Sequence, residues 1–370
     1  MGSNSDVITP GYFLHGSKHH ESVSVDTYNA ELKDADGFIG DRASKRAFFS
    51  ILEKRREEVR QVGDDPLGEA ATEDFKKKDL EKVLTDGDLE AAAVVHGAIE
   101  EFAQELSLVA NRLLKLKGWK NTEHIVVGGG FSSGRVGELA IKRASVLLQA
   151  EYGHDFALTP IRHHPDEAGL LGNIHVVPAS MLSGYDSLLA VDIGGSNIRV
   201  GVVALNQTKS SDFREARVSS TELWRHADDD LKRDACIERL AEMLEAQIKL
   251  AKKEGCAIAP LIGIACPGFI NSDGSIEKGA QNLPGNWESS RFNLPETIKK
   301  LIPKIGGNEI IVTMHNDAVV QGLSETPWMQ DVTHWGVLTI GTGLGNARFT
   351  NRFQDKRKMS RDVTEPETNK

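Results

Sequence analysis

The stretch LLAVDIGGSNIRVGVVAL, Leu188 to Leu205, decides the reading of this chain. An apolar run over Leu188–Ile193 carries Asp192 into a turn of Gly194, Gly195, Ser196 and Asn197, and a second strand-like run, Arg199–Leu205, leads away. Glycines in such a turn let backbone N–H groups approach an anion with no Cβ in the way. A carboxylate at the strand end can hold, usually through water, a metal ion that bridges phosphate oxygens. An ordinary hairpin whose glycines serve only a positive φ has the same sequence, so the turn alone leaves both readings open.

A second segment repeats the pattern. WGVLTIGTGLGNARF, Trp335 to Phe349, is again strand, glycine turn and strand, with the Thr342 hydroxyl between Gly341 and Gly343, and Gly345 beyond. Two such turns can cradle a polyphosphate from two sides. A third cluster, HIVVGGGFSSG, places Gly128, Gly129 and Gly130 after a short β run. It is not the G-x-G-x-x-G of dinucleotide folds, because Ser133 stands where the third glycine belongs, and no G-x-x-x-x-G-K-[ST] occurs. Helix packing accounts for this cluster as well as a nucleotide does. In VTMHNDAVVQG, Asn316 and Asp317 sit where a strand runs into a helix. A carboxylate there can take a proton from a hydroxyl and the neighbouring amide can bond adjacent hydroxyls, although Asn and Asp are also the preferred helix caps. His315 reads as packing.

Composition narrows the function classes. The 44 Lys+Arg and 54 Asp+Glu leave a net charge of −10, a poor match for nucleic-acid phosphates or an anionic membrane. Cys236, Cys256 and Cys266 are scattered and build neither a disulfide framework nor a Cys-rich zinc site, which suits a reducing compartment. The opening MGSNSDVITPGY has neither a basic n-region nor an apolar h-region, and the apolar runs are too short to span a bilayer. The expectation is a cytoplasmic globular protein of two or three domains, 370 residues being ample for that.

Periodicity divides the chain as follows. Residues 1–42 read as irregular surface. Helical spacing covers Ala43–Val62, Asp88–Leu116, Gly134–Ala150, Asp166–His175 and Leu231–Lys253, and the turn-rich stretch 176–187 reads as a linker. Past the linker the texture becomes strand-rich, and the tail 353–370 is charged and nearly without apolar residues.

Taken together, DIGGSNIRVG (192–201), IGIACPGFINSDGSI (262–276), AQNLPGNW (280–287), HNDA (315–318), IGTGLG (340–345), IVVGGG (125–130) and DEAGLLGN (166–173) resemble the ROK family (repressors, open reading frames and kinases) of sugar kinases, part of the actin/hexokinase-like ATPase group. The resemblance covers most of Ala43–Arg352. It implies an α/β fold of two actin-like, ribonuclease H-like lobes with an interlobe cleft that takes ATP with Mg²⁺, and phosphoryl transfer to a sugar hydroxyl, in the manner of a glucokinase or another hexose or N-acetylhexosamine kinase. It implies that the Asp192–Asn197 and Gly341–Gly345 turns hold phosphates, with Asp192 an indirect partner of Mg²⁺. Gly128–Gly130 then lies by the adenosine and Asp317 is the general base. Asn316, Pro267, Gly268, Asn282 and Gly285 line the sugar. The small-molecule partners are sugar and ATP, with nucleic acid and membrane excluded and homo-oligomerisation open.

The chain departs from the family in three ways. The family's C-terminal segments come first, which reads as a circular permutation joined through 176–187. The Glu-x-Gly-His sugar-binding segment does not follow GTGLG, and the Cys-rich zinc motif is missing, so no zinc is expected. The expected division is a large lobe of 43–165 with 334–352, a small lobe of 188–328, and a helix at 166–175 docked on the small lobe. A non-catalytic sugar- or nucleotide-binding regulator or scaffold of the same fold is the alternative.

Overall fold

The structure is a computed structural model that describes residues 15–34, 37–153 and 155–352. The charged tail and the first fourteen residues lie outside the described residues. In chain order the sheet strands are β1 (Val23–Tyr28), β2 (His124–Gly128), β3 (Ala157–Pro160), β4 (Ser187–Ile193), β5 (Ile198–Ala204), β6 (Arg217–Trp224), β7 (Ile258–Cys266), β8 (Ile311–Asn316), β9 (His334–Ile340) and β10 (Leu344–Asn351). The helices are α1 (Lys45–Arg60), α2 (Lys77–Asp86), α3 (Leu89–Leu114), α4 (Arg135–Tyr152), α5 (Pro165–Leu171), α6 (Arg233–Lys253), α7 (Leu294–Leu301) and α8 (Asp317–Leu323). Two two-residue hairpins complete the strands.

These elements form a mixed α/β architecture of two five-stranded sheets, ordered β8-β7-β4-β5-β6 and β1-β10-β9-β2-β3. Both follow one plan. From a central strand, β4 or β9, two successive antiparallel pairings run to one side and two successive parallel pairings to the other. That is the ribonuclease H-like sheet, built twice. In the first sheet the plan runs in chain order from β4 to β8. In the second it begins at β9 and β10 and continues through β1, β2 and β3.

The central strand β4 shows why the sequence takes this form. All seven of its residues, SLLAVDI, are buried, as a strand covered on both faces requires. Leu189, Val191 and Ile193 pack with Leu240, Met243 and Leu244 of α6 on one face. Leu188 and Ala190 pack with Leu170, Leu171 and Leu182 on the other. In the second sheet Ile125 and Val127 meet Phe102 and Leu106 of α3 and Ile141 and Leu148 of α4. The period-two alternation therefore feeds a core on each side of each sheet.

Between the sheets lies α8. Val319, Val320 and Leu323 share one cluster with Ala265 of β7 and with Val23, Val25, Trp335 and Phe349 of the second sheet. Gly322 permits this closeness, since a Cβ there would stand 2.6 Å from the Phe349 ring. The helix that begins at Asp317 is thereby fixed to both sheets.

Several expectations need correction. Residues 1–42 are not uniformly irregular, because β1 pairs antiparallel with β10, Val23 opposite Asn351 and Val25 opposite Phe349. The alternation in VSVDTY is only six residues long and set in polar sequence, so its inward face is hard to see without its partner. The stretch 176–187 is not a loose linker. It holds a 3-10 turn, Ala179–Leu182, with Val177 and Leu182 buried, and its last residue, Ser187, starts β4. The expected helix at 166–175 ends at Leu171 and continues as a 3-10 turn, Gly172–Val176. The long helix falls where the pattern put it, capped by Asp88, whose Oδ1 accepts from Glu90 N and Ala91 N at 2.8 Å. Leu89, although apolar, lies exposed at its first turn. The helix α2 has no counterpart in the sequence reading.

If β1 is integral to the second sheet, Val25→Asp buries a charge beside α8 and should cost about 3–5 kcal/mol. Urea titration of both proteins checks this, and an unchanged midpoint would mean that β1 is dispensable.

Candidate active site in the interlobe cleft

Parallel strands β4, β7 and β8 all end at one edge of their sheet, where a doubly covered sheet leaves room for a ligand. Each contributes to a cleft of about 660 Å³ between the two sheets. From β4 come Asp192 and the turn Gly194–Asn197, closed by Gly194 N donating to Asn197 O at 2.8 Å. The loop after β7 gives Pro267 and Gly268, and β8 runs into Asp317. The facing wall is the β9–β10 turn, closed by Gly341 N donating to Gly343 O at 2.9 Å. Its far side is held by the first turn of α1, whose Lys45 N donates to Gly341 O at 3.0 Å. The two glycine turns come close enough for the Ser196 and Thr342 hydroxyls to stand 3.5 Å apart.

Most residues singled out from sequence line this cleft. They are Asp192, Gly194, Gly195, Ser196, Asn197, Gly341, Thr342, Gly343, Gly345, Gly129, Gly130, Pro267, Gly268, Asn282 and Asp317. Three do not. Gly128 ends β2 behind the wall, where a Cβ would stand 3.2 Å from Gln321 Oε1. Gly285 has φ +77° and packs on Arg233, away from the cleft. Asn316 is fully buried beneath it: its Oδ1 caps α8 by accepting from Ala318 N and Val319 N, while Nδ2 donates to Gly268 O and Asp317 Oδ1, both at 3.0 Å. Asn316 therefore aims Asp317 and ties it to the loop after β7. His315 is packing, with Asn316 N donating to its Nδ1 at 2.7 Å and its Nε2 2.9 Å from Ser17 O.

Electrostatics separate the two cleft carboxylates. Burial pushes the Asp317 carboxyl up to about 6, and the charge of Asp192 pushes the same way. Asp192 is also raised by burial, but Arg199 opposes the shift. Arg199 Nη1 donates to Asp192 Oδ2 at 3.4 Å, and its Nε donates to Asp166 Oδ1 at 2.9 Å. Asp192 fits there because residue 169 is glycine; a Cβ at Gly169 would lie 2.4 Å from the carboxylate carbon. The DEAG segment on α5 thus supplies one charge and one gap to the floor of the cleft.

Sequence reading missed Arg199, Glu31, Lys278 and Gln321. A signal existed for Arg199, an arginine at an alternate position of a strand otherwise made of buried apolar residues. None existed for Glu31 and Lys278, which are 247 residues apart in sequence and pair at 3.3 Å at the cleft mouth. Gln321 stands four residues after Asp317, one helical turn along α8, so both can face one ligand.

A bound Mg²⁺ usually keeps several waters and takes one or two carboxylates besides phosphate oxygens. The Asp192 carboxylate at the cleft floor suits that indirect role. Among the described residues no group of three or more His, Cys, Asp or Glu could hold a metal by itself, and no helix is long and apolar enough to cross a membrane.

No family model and no curated protein matches the sequence. Solved structures of sugar kinases are similar to it. They include Lmo2764 of Listeria monocytogenes, described as a candidate N-acetylmannosamine kinase (27% identity, TM-score 0.31, covering 45% of this chain and 47% of that one). A candidate sugar kinase from Cytophaga hutchinsonii matches at 20% identity and TM-score 0.33, over 45% and 48% of the two chains. A ROK family glucokinase from Streptomyces griseus, solved with glucose and AMPPNP, matches at 20% and 0.33, over 45% and 46%. The match spans just under half the length of each.

The raised Asp317 carboxyl has a consequence for stability. Folding favours its protonated form, so its contribution is complete below pH about 4 and is lost as pH rises through about 6. Asp317→Asn, neutral throughout, should therefore be more stable than the parent at pH 8 by about 1–3 kcal/mol, with the difference vanishing near pH 4. Urea titrations at the two pH values test this; a difference independent of pH would contradict the shift.

Proposed function

We propose that this protein is an ATP-dependent sugar kinase of ROK type that acts on a hexose or an N-acetylhexosamine. The observation that carries the reading is the placing of Asp317. A carboxylate held near 6 by burial stands at the floor of a cleft whose walls are two glycine turns. Such a group is ionised at neutral pH yet basic enough to accept a hydroxyl proton in a transition state.

In the reaction, the acceptor hydroxyl gives its proton to Asp317 while its oxygen forms the new bond to the γ-phosphorus. The bond from that phosphorus to the bridging oxygen breaks and ADP leaves with the electron pair. Backbone N–H groups of the Gly194–Asn197 and Gly341–Gly343 turns, with the Ser196 and Thr342 hydroxyls, bind phosphate oxygens from opposite sides. Preorganised donors of this kind are the main source of rate in phosphoryl transfer. Mg²⁺, when bound with Asp192 as its protein partner, neutralises phosphate charge. Asn316 aims the base, and the sugar lies along Pro267, Gly268 and Asn282.

The chain order is read as a circular permutation. The second sheet supports this, since it repeats the plan of the first only when β9 and β10 are taken to precede β1, β2 and β3. A chain opened between Ser183 and Gly184, with Lys370 joined to Met1 by a Gly/Ser spacer, should fold with an unchanged near-UV spectrum and bind ATP. Failure of this protein to fold, where the parent folds, would tell against the permuted order.

A coupled assay over a panel of hexoses and N-acetylhexosamines tests the activity directly. Asp317→Asn should lower turnover about 10²–10⁴-fold with nucleotide binding nearly intact. Gly343→Val, whose side chain would point into open space within the cleft, should weaken ATP binding more than sugar binding in calorimetric titrations. Binding of both ligands with no phosphorylation of any sugar would favour the non-catalytic regulator.

A further inference from the structure

Gln321 is a buried carboxamide that the protein itself leaves unsatisfied. It is 9% exposed and lines the cleft, and its Oε1 has no hydrogen-bond partner. Among the described residues neither end of the side-chain amide bonds to protein; outside the helix ladder Gln321 bonds only through its backbone carbonyl, which accepts from the Ser324 hydroxyl and N–H. Burying an amide without a partner opposes folding. A side chain kept there for packing would be apolar. The absence of Cβ at Gly128 leaves room beside Oε1, which explains a glycine that does not itself line the cleft.

Its position says what the free end meets. Its Oε1 is buried toward Gly128 and Ile161, behind the wall, which leaves the amide nitrogen as the end open to the cleft, one turn along α8 from Asp317 and next to the cleft-lining Gly129 and Gly130. Gln321 is thus adjacent to the base but on the nucleotide side of it. A group between a hydroxyl being deprotonated and a bound nucleotide is the phosphoryl group in transit. Resting on the kinase reading above, we infer that Gln321 is a further catalytic residue, donating from its carboxamide N–H to an oxygen of the phosphoryl group as it passes from nucleotide to sugar. A neutral donor suits this place, because Asp192 and Asp317 already bring two negative charges to the floor and a third would repel the phosphoryl oxygens.

The inference separates stability from activity. Gln321→Met keeps the length and removes both the orphaned oxygen and the donor. Without ligand it should melt about 1–3 °C above the parent. Its affinities for ADP and for sugar should stay within about threefold, while kcat falls about 10²-fold. Affinity for ADP with tetrafluoroaluminate, a planar mimic of the phosphoryl group, should fall by a similar factor. Gln321→Glu, of the same shape but anionic, should lose more kcat than Gln321→Met. A Met variant with parental kcat and parental affinity for the mimic overturns the inference, and so does one that melts several degrees lower, which would mark a structural amide. A parent that phosphorylates no sugar overturns the kinase reading and this inference with it. A parent that does so, beside an equally active Met variant, overturns the inference alone.

Discussion

Everything in the cleft depends on keeping two carboxylates, Asp192 and Asp317, in a place where water is largely excluded. Each is pushed toward its protonated form by burial; the charge of Asp192 adds to the shift of Asp317, and the charge of Asp166 to the shift of Asp192. What makes the pair tolerable is an unequal division of partners. Arg199 stands against Asp192 and ties it to Asp166, while Asp317 receives only the neutral amide of Asn316 and the helix N–H groups. One carboxylate is therefore held by a cation and suited to a metal ion's water shell. The other has no cation beside it, and its carboxyl is raised to about 6. Unlike environments of this kind are what set the proton affinities of two neighbouring carboxylates apart.

That division rests on helices packed to close tolerance. Gly169 of α5 and Gly322 of α8 are the points of nearest approach, to the Asp192 carboxylate and to the Phe349 ring. The first helix sets the distance between Asp192 and its counter-charge. The second seats Asp317 at the junction of the two sheets, with Ala265 on one side and Trp335 and Phe349 on the other. Because side chains of both sheets contact α8, a change in the angle between the sheets would move Asp317 relative to the glycine turns. The Glu31–Lys278 pair and the Tyr28 hydroxyl, which accepts from Ile270 N at 3.3 Å, add links across the mouth between β1 and the loop after β7.

Repetition of one sheet plan explains why two glycine turns face each other. In each sheet the turn joins the central strand to its antiparallel neighbour, β4 to β5 and β9 to β10. Two such sheets packed about α8 bring the two turns to opposite walls of one cleft. The facing turns are thus a product of the plan and need no dedicated loop. Stability is given up in the same region: Asp317, the unpartnered Gln321 amide and the buried Asp192 all oppose folding.

The central strands, both glycine turns and the Asn316–Asp317 junction were legible in the sequence because each is a local pattern whose physics acts within a few residues, while the two-lobed α/β class was legible only through the combined resemblance of the segments to a known family. An apolar run with a glycine turn is legible wherever it stands, and so is Asp88 ahead of a helical stripe. Tertiary structure alone decided that Val23–Tyr28 is a strand, since its partner is β10 at the other end of the chain. It decided that Gly128 and Gly285 serve packing, that Asn316 supports Asp317 from beneath, and that Arg199, Lys278, Glu31 and Gln321 reach the cleft. The roles of these residues come from neighbours distant in sequence, and a side chain's burial, charge partner and open face exist only after the two sheets have closed around α8.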